Sequence, residues 1–176
     1  MHAGNIGLAQ GFEILLYLAE EVKKNNDIGF LFIGRGSKFE IMKNIAEKKG
    51  IMNVVFHEEI DNSQIMDLYS QCSCGIVILD KRHKTHNIPG KFLSYLHSGL
   101  PIFALVNPQN DLISLINNNN LGFATSNFDI SYLKEKIINI SKKITLKEFS
   151  KDRNKKLAKD LFSVKNAANQ ILAKFK

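Results

Sequence analysis

Segments with helical spacing of apolar residues alternate along this chain with short apolar runs bounded by Gly, Asn or Asp, and few folds accept that rhythm. Gly11 to Lys24 places Phe12, Leu15, Leu16, Leu18, Ala19 and Val22 on one helical stripe before the polar Asn25-Asn26-Asp27. Ile28 to Ile33 reads as a buried strand, Phe39 to Lys49 as a helix closing on Gly50, and Val54 to Phe56 as the next strand. Ser63 to Ser70 is expected to be a helix with Ser63 as its N-cap, followed by a strand over Gly75 to Leu79. Further on, a strand at Ile102 to Val106, a helix at Asp111 to Ile116, a brief strand near Gly122 and helices from Ile130 complete the series. The run Asn117 to Asn120 reads as a turn, with Gly122 close behind as a helix C-cap. Repeated β-α units of this kind predict an α/β fold: one Rossmann-like domain with a parallel sheet flanked by helices. With 176 residues, the chain is long enough for one buried core and short for two.

The stretch His86-Asn87-Ile88-Pro89-Gly90-Lys91-Phe92 leads from a loop into a short helix that stops at Gly99, before the strand at Ile102. Pro89 fits the first helical turn, so free N–H groups and the positive dipole end would face a ligand lying before the loop. Lys91 puts a cation where a helix ordinarily prefers an acid, which points to an anionic guest; a solvated lysine is the plain alternative. Two more glycine turns, Gly4-Asn5-Ile6-Gly7 and Gly34-Arg35-Gly36-Ser37, follow strand ends. In a parallel sheet such turns gather at one edge and let backbone approach a nucleotide diphosphate. The Gly34 turn has Phe39 where a dinucleotide fingerprint places its third Gly, an argument against an NAD enzyme.

Other signals are narrower. Cys72 and Cys74 stand one residue apart, too close for an ordinary disulfide, and read as thiols at a strand entry. The net charge of +7 is concentrated in Lys142 to Lys159, a basic face able to meet anionic lipid or an acidic partner, or merely solvated. No signature of nucleic-acid binding is present. No apolar run approaches a membrane span and no secretory signal opens the chain, so a cytoplasmic protein is expected. So little strand precedes the first glycine turn that a longer natural protein is expected, with its ligand cleft open toward another half.

The order of these motifs resembles the carboxyl-terminal, nucleotide-sugar-binding domain of a GT-B glycosyltransferase of the retaining family 4. The residues that carry the likeness are Ala3 to Gly11, Phe32-Ile33-Gly34-Arg35-Gly36, and Ile88 to Leu96 with Ser98-Gly99-Leu100-Pro101. The Pro-x-Lys and Tyr-Leu variant is similar to bacterial transferases that build lipopolysaccharide O-antigen or capsule. The resemblance implies that residues 1–176 form the donor domain and that an acceptor domain lies outside this chain. It implies a hexosyltransferase that moves a sugar from a nucleoside diphosphate sugar, a UDP-sugar by expectation, to a polysaccharide or lipid-linked acceptor with retained configuration. The donor is a substrate, and no cofactor or metal is expected.

Carried over by position, Gly4, Asn5, Gly7, Pro89, Gly90 and Lys91 would meet the donor phosphates, while Gly34, Arg35, His57, Ile60 and Ser94 would meet base and ribose. Arg82 and His86 are further candidates in a basic loop, and no catalytic residue is assigned. Where the family commonly carries two glutamates seven residues apart, this chain has His86 and Ser94. Ser94 would hold ribose more weakly or through water. A donor domain that keeps binding but has lost catalysis, serving assembly, is therefore the alternative. In either case the isolated chain is expected to be inactive. Contact with the inner face of the cytoplasmic membrane fits such acceptors.

Overall fold

The computed structural model describes residues 1–61, 63–84 and 87–174. Within them six parallel strands build the sheet: β1 (His2–Ala3), β2 (Phe30–Ile33), β3 (Val54–His57), β4 (Gly75–Ile78), β5 (Ile102–Leu105) and β6 (Gly122–Thr125). Among the described residues eight α-helices accompany them: α1 (Glu13–Glu21), α2 (Phe39–Lys48), α3 (Ile65–Gln71), α4 (Gly90–His97), α5 (Asp111–Asn118), α6 (Ile130–Thr145), α7 (Lys151–Phe162) and α8 (Val164–Ala173).

The ladders run β1-β2-β3 and β4-β5-β6, and the two sets meet edge to edge at β1 and β4. The Met1 nitrogen donates to the Cys74 carbonyl at 2.6 Å, and the Ile76 N–H donates to the Met1 carbonyl at 2.7 Å, the spacing of a parallel ladder. The strands therefore lie in the order 3-2-1-4-5-6, with the reversal of direction between β1 and β4. Open α/β sheets bind ligands at such a reversal, beyond the carboxyl ends of its strands.

Alternation along each strand divides the core in two. Phe30, Phe32, Ile76, Ile78, Phe103 and Leu105 face α1, α2 and α6, whereas Val77, Ile102, Ala104 and Val106 face α4, α5 and α7. Every residue of β4 and β5 is buried because both faces are covered, as parallel sheets require. At the β3 edge this fails, and Val55 stays 57% exposed.

Several local expectations need correction. The helix expected from Gly11 starts later, at Glu13: a 3-10 turn, Leu8–Gln10, precedes it and ends at Gly11, which adopts a left-handed φ of 57°. Ser63 does not cap α3: Asp61 Oδ1 accepts from both its N–H and its hydroxyl, forming a turn ahead of the helix. Pro89 is not inside the first turn of α4 but is its extended N-cap, at φ −63° and ψ 136°. Gly122 is not a helix cap; it lies so close to β5 that a Cβ there would fall 2.0 Å from the Ile102 carbonyl oxygen. The cysteines are free and partly buried, and burial pushes the Cys74 thiol up to about 11.

Candidate functional site

Main-chain bonds assemble the first two glycine turns into one surface at the carboxyl edge of the sheet. The Gly4 N–H donates to the Ile33 carbonyl at 2.8 Å and the Ile6 N–H to the Arg35 carbonyl at 2.9 Å. Gly34 has φ +144°, and a Cβ there would fall 1.9 Å from the Gly4 carbonyl oxygen, so only glycine fits. The Gly34 N–H donates in turn to the His57 carbonyl at 3.1 Å, which joins the end of β3 to the same surface.

α4 is tied to β1 by Tyr95, a residue missed in reading the sequence as a site. Its hydroxyl accepts from the Ala3 N–H at 2.9 Å, one residue before Gly4. Burial raises the Tyr95 phenol well above its ordinary range, so it remains protonated. The start of α4 thereby comes to rest beside the Gly4 turn. No side chain caps this helix and no acid lies in its first turn. Lys91 is half-buried, with its ammonium so placed that a Cβ on Gly4 would lie 3.8 Å from Nζ. Among the described residues no carboxylate pairs with it. Burial pushes its pKa down from the ordinary lysine value.

Below this cation sits His2, also missed, fully buried and edge-on to Phe12 at 5.2 Å between ring centroids. Its ring nitrogens lie 3.3 Å from the Ile76 carbonyl and 3.4 Å from the Asn5 carbonyl. Burial, then the charge of Lys91, pushes His2 down to about 3, so a neutral ring supports the Asn5 turn. The signal available in the sequence was a histidine within an otherwise apolar strand.

The remaining candidates separate by position. Gly7 belongs to the turn, but its N–H already donates to Gln10 Oε1 at 3.1 Å, and Asn5 Nδ2 reaches the same oxygen at 3.4 Å. Arg35 is exposed and paired with Glu59 at 3.1 Å, beside exposed His57 and partly buried Ile60. Arg82, a further candidate, is paired: its Nε and Nη2 both reach Asp80 at 2.8 Å. That pair, with Leu8, Ala9, His83 and Lys84, lines an open cleft of about 440 Å³ beside the first turn. Ser94 is exposed one turn along α4, its hydroxyl 3.4 Å from the Gly90 carbonyl. His86 lies outside the described residues. A cavity of about 340 Å³ at the opposite edge of the sheet, among Met1, Gly29, Cys72 and Ile144, includes none of these residues. Among the described residues no cluster of three His, Cys, Asp or Glu could hold a metal ion.

The architecture and the motif order meet in one comparison. The family described as Glycosyl transferases group 1 matches residues 1–157. The chain belongs to that family. Among curated proteins none matches the sequence. Solved structures give the same fold, that of the carboxyl-terminal half of a GT-B glycosyltransferase. Staphylococcus aureus TarM, solved with fondaparinux, alpha-GlcNAc-glycerol and UDP, aligns over 98% of this chain and 34% of its own, at TM-score 0.77 and 16% identity. The catalytic domain of cholesterol-alpha-glucosyltransferase from Helicobacter pylori aligns over 91% of this chain and 98% of its own, at TM-score 0.70 and 13% identity. The pneumococcal O-GlcNAc transferase GtfA, solved with UDP and GlcNAc, aligns over 99% of this chain and 34% of its own, at TM-score 0.65 and 16% identity. The group 1 chain thus spans about a third of the length of TarM and of GtfA.

Proposed function

We propose that this group 1 chain is the donor-binding domain of a retaining glycosyltransferase of family 4, taking a UDP-sugar and serving a cell-surface polysaccharide or lipid-linked acceptor held by groups outside the chain. The observation that carries the reading is Lys91: a half-buried cation with no counter-charge among the described residues, beside the uncapped start of α4 and the Gly4 turn. A diphosphate supplies the missing charge. As the bond from the sugar to the diphosphate stretches, negative charge grows on the leaving group. Lys91 and the free N–H groups at Gly90 and Lys91 would receive it. The adjoining Gly34, Arg35, His57 and Ile60 would take the base, and Ser94 the ribose. The UDP bound by TarM and GtfA favours a uridine donor over other nucleotides.

A second reading, a binding module without catalysis, is favoured by Ser94 standing where the family places an acid, with its hydroxyl turned to the Gly90 carbonyl. Turnover by the whole protein separates the two. For the domain itself the test is calorimetric titration with UDP, GDP and NAD at low and moderate salt, repeated on Lys91→Met. Saturable UDP binding, weakened about tenfold or more by the substitution and by salt, is expected. Binding of NAD alone would overturn the donor-domain reading.

A further inference from the structure

The Gly4 to Gly7 turn offers a ligand less than its glycines suggest. Its Gly4 and Ile6 N–H groups are spent on the Ile33 and Arg35 carbonyls, main-chain bonds that continue the pairing of β1 with β2 and that no ligand can take without opening the sheet. The Gly7 N–H is held differently, by a side chain. It donates to Gln10 Oε1 at 3.1 Å, and Asn5 Nδ2 donates to the same oxygen at 3.4 Å. Gly7 brings no side chain of its own to this point: a Cβ there would lie 3.0 Å from Asn5 Nδ2 and 3.2 Å from Gln10 Oε1. One glutamine oxygen thus sits where two N–H donors converge, in the turn whose Gly4 end adjoins the Lys91 ammonium.

A glutamine reaching back to an N–H three residues earlier is the ordinary half of a capping box. Two facts go beyond that role. The helical turn to be capped is only Leu8–Gln10, so little helix is there to stabilise. The second donor, Asn5, lies outside that turn and caps nothing. The contact is also replaceable, because Gln10 is only half-buried and its amide stands at the end of a rotatable stem.

We infer that Gln10 is a displaceable stopper of the donor site: its amide oxygen holds the place of a phosphate oxygen and swings aside for a diphosphate anchored on Lys91, passing the Gly7 N–H and Asn5 Nδ2 to the phosphate. This role rests on the donor-domain reading and adds to it a residue that selects what enters. The exchange favours an anion. Hydrogen bonds to an ionised acceptor are about twice as strong as those to a neutral one, so a phosphate takes both donors from an amide oxygen, whereas a hydroxyl or carbonyl of a neutral ligand does not. Until then the stopper keeps both donors satisfied.

The test is calorimetric titration with UDP of the parent chain, Gln10→Ala and Gln10→Glu, with circular dichroism for the fold and the Gly7 amide followed by NMR. Removing the competing oxygen should tighten UDP binding about threefold to tenfold. A carboxylate holds the same donors more firmly and repels the diphosphate, so Gln10→Glu should weaken binding about tenfold or more, an effect that salt reduces. In the parent chain the Gly7 amide resonance should shift as UDP saturates. Should Gln10→Ala lose the parent circular dichroism, Gln10→Met, of similar length without the amide oxygen, takes its place with the same expectation. UDP binding that is unchanged or weaker in the variant without the oxygen overturns the inference and leaves the donor reading standing, with Gln10 a plain cap or itself a ligand contact. A Gly7 amide indifferent to bound UDP overturns it too. Failure of UDP to bind any of these chains overturns both.

Discussion

Lys91 has given up much of its hydration without gaining a neighbouring carboxylate among the described residues, and the groups beneath it explain how the chain tolerates this. His2 stays uncharged, and Tyr95 spends its hydroxyl on the Ala3 N–H. None of this could be read in advance, since the local sequence fitted a solvated lysine equally well and burial depends on where α4 docks. The glycines were more legible, because their turns follow strand ends, yet what they touch emerges only in the fold. Gly34→Ala should destabilise the domain by about 2 to 4 kcal/mol, through clash with the Gly4 carbonyl and the strained φ. Gly90→Ala, with nothing within 4 Å, should leave the urea midpoint unchanged or slightly raised. Equal effects at both positions would refute this contrast. Asp80 sets an acid limb. The Arg82 fork holds its carboxyl at about 2, below the ordinary 3.8. A depressed carboxylate stabilises the fold above its unfolded value and loses that contribution as pH falls toward about 2. Asp80→Asn should therefore flatten the decline in urea midpoint between those values, by about 1 kcal/mol after allowance for the exposure of Arg82.

At the scale of elements, periodicity found the helices and strands because both faces of the sheet are covered, leaving strands uniformly apolar and helices striped. Ends were harder. Asp61 captured Ser63, and Pro89 sits outside its helix, both outcomes of side-chain and backbone geometry that residue type alone does not fix. The asparagine run shows the same limit. Asn117 is not part of the turn but the last stretch of α5. Its amide donates to the Ala124 carbonyl and accepts the Ala124 N–H, each at 2.9 Å. A side chain thus completes the outer strand β6, where no further strand pairs among the described residues. Asn117→Ala should cost about 1 to 2 kcal/mol and speed amide exchange at Ala124, while Phe103 and Ala104 in β5 stay protected. Uniform acceleration across both strands would show that the clamp is not local.

For the whole molecule, the two cores share every central strand, so neither can melt alone. Calorimetry should show a single transition with a heat-capacity increment of about 2.1 to 2.6 kcal/mol/K. Two resolved peaks would mean that the short β1 seam fails before the rest. The uneven charge has a different consequence. A chain whose first 141 residues are nearly neutral and whose last 35 are strongly basic is a large electric dipole. Near a negatively charged boundary such a body experiences torque as well as attraction. It turns before it touches, within the Debye length of about 8 Å at physiological ionic strength, and arrives with its carboxyl-terminal helices leading.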